Sequence, residues 1–177
     1  MKKEIRKMYL WAVAKVLLVI LAAIVLIICF RHEELEMAAV ICLSLLWGVV
    51  FLIYLISGIR TITTGAKQAR EYMANSPYNM ERLDEEYERA RDFGRIHVGD
   101  IHVFANASDQ FYVLPLRDIE RVWVENYHAN PLKCRKGYYY LYIQTKDVEK
   151  IKVYYALKNS AYAARDFIIY QKENRKV

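Results

Sequence analysis

The sequence predicts a membrane α-helical hairpin followed by an α+β domain, an antiparallel β-barrel or sandwich capped by one C-terminal helix. Three observations carry this. Two apolar runs, residues 9–30 and 37–59, are separated only by the charged link Arg31-His32-Glu33-Glu34-Leu35-Glu36. After Gly94 the apolar residues change from helical spacing to alternation. A final helical period, with Ala161, Ala164, Phe167 and Ile168 on one face, follows the last alternating stretch, and strands closed by a helix are an α+β order.

The run 9–30 has 22 residues, roughly 33 Å of helix, about the thickness of a bilayer's hydrocarbon core. Its one charge, Lys15, lies near the N-terminal edge, where a long stem carries the ammonium back to the headgroups. Tyr9 and Trp11 suit the interfacial aromatic belt. The run 37–59 has no charged side chain. A link of six residues allows only a tight return, so the two helices are expected to be antiparallel neighbours. A signal peptide is disfavoured, because the apolar core is long, no small-x-small site precedes Arg31, and a second run follows at once.

Orientation follows from basic residues near the span ends. Lys2, Lys3, Arg6 and Lys7 precede the first run, Arg31 alone stands in the link, and Arg60, Lys67 and Arg70 follow the second. Both termini are therefore expected in the cytoplasm, with the chain integral to the inner (plasma) membrane. Cys29 and Cys42 lie in the runs and Cys134 stands apart, so no disulfide framework is visible. Ala22, Ala23 and Ser44-x-x-x-Gly48 offer small surfaces for helix packing, within the hairpin in preference to between copies.

Residues 60–94 read as a helical connector broken at 75–77. Asn75-Ser76-Pro77 stops the first helix, and Ser76 as cap with Pro77 in the first turn is expected to start the next. Met80, Leu83, Tyr87 and Ala90 then form an apolar stripe. The acidic run Glu81, Asp84, Glu85, Glu86 and Glu88 reads as its solvated face, and Gly94 as its left-handed terminus.

In residues 95–177, Gly99-Asp100 suits a two-residue hairpin turn. That register sets Val98 against Ile101 and Ile96 against Val103, with His97 and His102 opposed on the other face. Two histidines lack the third ligand a metal site needs, and His128 and Cys134 cannot be placed from sequence, so no metal or other cofactor is assigned. Residues 106–110 read as turn, 111–115 as strand and 119–127 as strand, followed by a loop carrying Lys133, Arg135 and Lys136. In 138–145, Tyr139, Leu141 and Ile143 share one face and Tyr138, Tyr140 and Tyr142 the other. Ile151, Val153 and Tyr155 mark the last strand, and Asn159 or Ser160 is expected to cap the closing helix.

The order of strands and closing helix resembles that of a pleckstrin-homology-like domain. The stretch Phe111-Tyr112-Val113-Leu114-Pro115-Leu116-Arg117-Asp118-Ile119-Glu120-Arg121-Val122-Trp123 is similar to the strand, leucine-proline-leucine, aspartate-isoleucine and tryptophan-strand sequence of bacterial members. With the spans and the Asn75-Ser76-Pro77 break, the chain resembles two-span bacterial membrane proteins that carry such a domain. The resemblance implies a fold and a membrane address, and supplies no catalytic residues.

From Arg60 onward there are 20 basic and 16 acidic residues, a mild and dispersed excess unlike the concentrated stripe of a nucleic-acid binder. No phosphate loop, nucleophile elbow, HExxH helix or paired-cysteine motif occurs, and no charge sits deep in the spans to mark an ion path. The expectation is a non-enzymatic, membrane-anchored module whose cytoplasmic domain binds a protein, a peptide or anionic lipid headgroups. Its candidate ligand site is a basic rim of Lys133, Arg135, Lys136, Lys150 and Lys152, and the spans offer a route to a homo-oligomer. The alternative is a two-span effector that binds a nucleotide signal through the same tyrosines and basic residues and oligomerises in the membrane.

Overall fold

The computed structural model describes residues 1–32, 37–107, 110–127, 138–146 and 150–174, with the backbone alone at 26–32, 37–46 and 127. The chain divides into two compact units, 3–65 and 66–177, the first two residues belonging with the second unit.

The first unit consists of α1 (Lys2–His32) and α2 (Met37–Thr64). Both helices are long and apolar enough to cross a membrane. On α1, Ala12 and Val19 are buried, one face apart by two helical turns. A Cβ added at Gly58 of α2 would lie 2.6 Å from Val16 Cγ2 and 3.5 Å from the Ala12 carbonyl oxygen, so the helices meet closely there. Among the described residues, nothing lies within 4 Å of such a Cβ at Gly48, and the side chain of Ser44, the other member of the expected small-residue pair, lies outside them. Leu10, Trp11, Leu17, Leu18, Leu21, Ile53 and Ile56 are more than half exposed. Water disfavours so large an apolar surface.

The helical connector has a second break that the sequence reading missed. α2 ends at Thr64, where the Thr61, Thr63 and Thr64 hydroxyls donate to carbonyls one turn back, and Gly65-Ala66 separates it from α3 (Lys67–Asn75). Ser76 ends α3 in extended conformation, and its hydroxyl accepts from the Tyr78 amide at 3.2 Å. The next helix, α4 (Met80–Arg89), starts later than expected. Its cap is Asn79, whose side chain accepts from Arg82 N at 3.0 Å. An Asx cap satisfying a first-turn donor outweighs the Ser-Pro pair. Gly94 is left-handed (φ 83°), but in a tight turn between β1 (Arg91–Asp92) and β2 (Ile96–Val98), not at a helix end. The Gly94 amide donates to Asp92 Oδ1 at 2.6 Å and the Phe93 amide to the Ile96 carbonyl at 2.8 Å.

β3 (His102–Ala107) and β4 (Gln110–Pro115) complete an antiparallel sheet of order β1-β2-β3-β4. β3 runs on to Ala107, which pairs with Gln110 at the start of β4, so the turn expected over 106–110 is confined to residues 108 and 109, which lie outside the described residues. A 3-10 turn (Leu116–Asp118) leads into β5 (Ile119–Tyr127), which with β6 (Tyr138–Thr145) and β7 (Ile151–Tyr155) forms a second antiparallel sheet. α5 (Lys158–Glu173) closes the unit. It begins at Lys158 after Leu157 without a side-chain cap, so neither Asn159 nor Ser160 caps it.

The core is the meeting of alternate residues from both sheets with one stripe of α5. Ile96, Val98, Val103, Leu114, Leu141, Ile143, Ile151 and Val153 bury against Ala161, Ala164 and Ile168. Period-two patterning in the strands and small residues in the helix permit this close layer. α3 lies along β4, where the Gln68 side-chain amide imitates a strand. Its Nε2 donates to the Val113 carbonyl and its Oε1 accepts from the Val113 amide, both at 2.9 Å. That satisfies part of an edge that would otherwise present unpaired groups.

Candidate functional site

Two side-chain constellations stand out in the second unit. The first is buried. His102, fully enclosed at 0 % exposure, places Nδ1 2.6 Å from Glu86 Oε2 and Nε2 2.7 Å from the Tyr72 hydroxyl. Glu86 Oε1 accepts from the Ile101 and His102 amides at 2.6 and 2.8 Å. Tyr78 meets the imidazole edge to face, ring centroids 4.8 Å apart. Three elements thus converge on one ring: α3 through Tyr72, α4 through Glu86, and the start of β3.

Burial raises the Tyr72 hydroxyl's pKa, an effect that the Ser76 hydrogen bond and Arg117 oppose without reversing. An ionised carboxylate can only accept, so the His102 Nδ1–H donates to Glu86 Oε2, while the Tyr72 hydroxyl is hydrogen-bonded to Nε2. For Glu86, burial alone would push the carboxyl up. The hydrogen bonds from the His102 ring and the two amides outweigh it and hold the group below the ordinary carboxylate value.

This arrangement corrects two expectations. Glu86 does not belong to the solvated face of α4, although Glu81, Glu85 and Glu88 are exposed. The β2–β3 register is also displaced by two, with Val98 opposite Val103, His97 opposite Phe104 and Ile96 opposite Ala105. His102 instead faces Pro115 across β3–β4, so the two histidines are not partners. The cause is the Glu86 carboxylate. The connection over 99–102 wraps around it so closely that a Cβ at Gly99 would lie 2.5 Å from Oε1. The Gly99 amide donates to the His102 carbonyl at 2.8 Å, and Gly99 lacks the positive φ that a type II′ turn requires. A shift of two preserves the faces, so Ile96, Val98 and Val103 still point to the core.

Beside the relay a cleft of about 330 Å³ opens between α4, the 99–101 loop and α5. Glu86 is on its wall with Arg82, Arg89 and Phe167, whereas neither His102 nor Tyr72 lines it. The relay's hydroxyl end is therefore not presented to that cleft. Among the described residues, no group of three or more His, Cys, Asp or Glu is placed to hold a metal.

The second constellation is the outer face of the β5-β6-β7 sheet. Trp123 of β5 stacks on Tyr142 of β6, centroids 5.2 Å apart and planes 19° from parallel. From Tyr142 the rings continue to Tyr140 at 6.3 Å, to Tyr154 of β7 at 5.9 Å and to Tyr138 at 5.5 Å. The pairing Trp123↔Tyr142 and Tyr140↔Tyr154 puts these residues on adjacent strands, where cross-strand aromatic pairs stabilise a sheet. Four exposed cations lie over the rings. Lys150 Nζ is 4.1 Å from the Tyr142 centroid and 5.1 Å from that of Trp123, and Lys152 Nζ is 3.8 Å from Tyr140. The Arg121 and Arg95 guanidinium carbons lie 5.8 Å from Trp123 and 5.6 Å from Tyr154. Each distance is within reach of a cation–π interaction. The Trp123 indole N–H donates to Glu125 at 2.8 Å.

Of the candidate basic rim, Lys150 and Lys152 are brought together on this face, and Lys133, Arg135 and Lys136 lie outside the described residues, as do His128 and Cys134. Arg95 and Arg121 were missed. Their alternation with apolar neighbours placed them on the solvent side, but the cross-strand register that sets them over rings is not written in any one segment. The relay was missed for the same reason, since its members are 16 and 30 residues apart.

No protein-family model, curated protein or solved structure matches this chain.

Proposed function

We propose that the chain is an integral two-span membrane protein whose β-rich unit is a pleckstrin-homology-like, non-enzymatic binding module held on the cytoplasmic side. The observation that carries this reading is the union of two long apolar helices with a unit of four and three antiparallel strands closed by one helix. The 4 + 3 strand division and the single closing helix agree with the pleckstrin-type order. The basic flanks of the apolar runs support cytoplasmic termini.

In this reading the Glu86–His102–Tyr72 relay fixes the connector helices to the β-sheet, and the cationic aromatic face is the binding surface. The relay's carboxylate oxygens and ring nitrogens are all engaged, which suits a clamp better than a catalytic dyad.

The test is alkaline carbonate extraction of membranes from cells expressing the full chain, paired with supply of cyclic oligonucleotides to the same cells. The chain stays in the membrane pellet, and the cells keep their membrane potential. Release into the supernatant overturns the anchoring. Depolarisation on nucleotide supply replaces the module with a nucleotide-gated effector.

A further inference from the structure

We infer that the outer face of the β5-β6-β7 sheet is a docking surface for an anionic lipid leaflet, read as a charged plane and not as an individual headgroup. The inference rests on the anchored-module reading and names the partner of its binding surface.

The argument begins with what the rings do. An open ladder of tyrosines and a tryptophan offers π-faces on which a planar ligand can stack. Here Trp123, Tyr140, Tyr142 and Tyr154 are already engaged, because Lys150, Lys152, Arg95 and Arg121 each lie within 6 Å of one of their ring centroids. The ladder therefore serves as a support that holds four cations in place. Ordering those long stems in advance lowers the entropy lost when an anion is met.

Shape and charge then choose the partner. The rings span three adjacent strands of one sheet, with strand neighbours about 4.8 Å apart, so the cations form a two-dimensional array. The cleft described beside Glu86 is on other elements, and none of these five rings or four cations lines it. An exposed array of cations spread over three strands suits a surface carrying many anions better than one small phosphate. Among the described residues, Glu125 is the carboxylate bonded to the ladder, so cations dominate. Tryptophan and tyrosine with lysine and arginine are also the residue types that settle at the membrane–water interface, and anionic lipid attracts basic residues held near its surface.

The experiment uses the full chain in lipid nanodiscs, with Trp11→Phe and Trp47→Phe so that Trp123 is the sole tryptophan. Quenching of Trp123 by aqueous acrylamide is compared between discs of phosphatidylcholine and discs containing phosphatidylglycerol. The expected result is a quenching constant lower by at least about twofold in the anionic discs, restored by about 0.5 M salt, where screening shortens the reach of exposed charges to a few ångströms. The protection is lost in the Lys150→Glu/Lys152→Glu variant. On the unsubstituted chain, amide hydrogen exchange over 150–156 slows in anionic discs, which keeps the test independent of the tryptophan replacements.

Equal quenching and equal exchange in both lipids overturn the inference alone. Protection in phosphatidylcholine discs by added glycerol phosphate replaces the surface with a small-anion site. Protection there by soluble polyglutamate, with none from anionic lipid, replaces it with an acidic protein partner. A chain that does not enter the discs overturns the anchoring reading, and the inference with it.

Discussion

Glu86 Oε2 and His102 Nδ1 stand 2.6 Å apart in the interior of the β-rich unit, joining α4 to β3 across 16 residues of chain. The contact explains both the loop shape at 99–102 and the seating of the connector helices. Glutamine keeps an oxygen for the Ile101 and His102 amides but sets an NH2 against the His102 Nδ1–H, so the charge-assisted bond is lost and the ring is left without its acceptor. Glu86→Gln is expected to destabilise the unit by about 1–3 kcal/mol, read as faster amide exchange over 96–107.

The same carboxylate gives a pH dependence with a defined sign. Its folded pKa is depressed, because hydrogen bonds from His102 and the Ile101 and His102 amides overcome the opposing effect of burial. The stability it contributes is present in full above the ordinary glutamate value of about 4.3 and is lost as pH falls through the lower folded value. Acid titration of unfolding should therefore show a limb below that value that is weaker in Glu86→Gln. An unchanged limb would mean that other carboxylates carry it.

Two glycines separate steric from backbone effects. A Cβ at Gly99 meets the Glu86 carboxylate at 2.5 Å, whereas Gly94 has open space and a φ of 83°. Gly94→Ala is expected to cost about 1 kcal/mol from the left-handed backbone alone. Gly99→Ala must displace the relay, so it costs more, and its effect is reduced in a Glu86→Ala background. Additive losses in that cycle would contradict the close packing.

Gln68 and Tyr155 give opposite expectations for polar groups. Gln68→Ala removes both bonds to Val113, and about 1–2 kcal/mol of local stability should go with them, seen as faster exchange of the Val113 amide. Tyr155 has a buried hydroxyl without a hydrogen-bond partner among the described residues, and burial, reinforced by the nearby Asp92 charge, pushes its pKa far up. Tyr155→Phe removes an unsatisfied polar atom and should be neutral or stabilising by up to about 1 kcal/mol, measured as a shift in thermal unfolding.

The legible parts of this molecule are those decided by local pattern. Tyr138, Tyr140 and Tyr142 fall on the opposite face from Leu141 and Ile143 because strand periodicity is two, and the burial of Ile151, Val153 and Tyr155 follows equally directly. The apolar helices were visible from length and composition, and the bounds of β5 and β6 coincide with the alternating segments. What local pattern did not reveal was set by contacts between distant segments. Glu86 is one glutamate in an acidic run until His102 is brought to it, and only then does the 99–102 connection lengthen and the hairpin register move. Gly94 was recognised as left-handed from its type, yet whether it ends a helix or turns a hairpin depended on Arg91 and Asp92 pairing with Val98 and His97. On the basic rim, Lys150 and Lys152 find their places through the cross-strand ring ladder, which brings in Arg95 and Arg121 as well.

The measurement that bears most directly on the anchored-module account is membrane-impermeant thiol labelling of intact cells. It uses a chain whose native cysteines are replaced by serine and which carries either Glu34→Cys in the link or Lys158→Cys at the start of α5. The account predicts that the cysteine at position 34 reacts from outside, and that the one at position 158 reacts only after the membrane is permeabilised. Reaction of position 158 in intact cells, with position 34 protected, would contradict it.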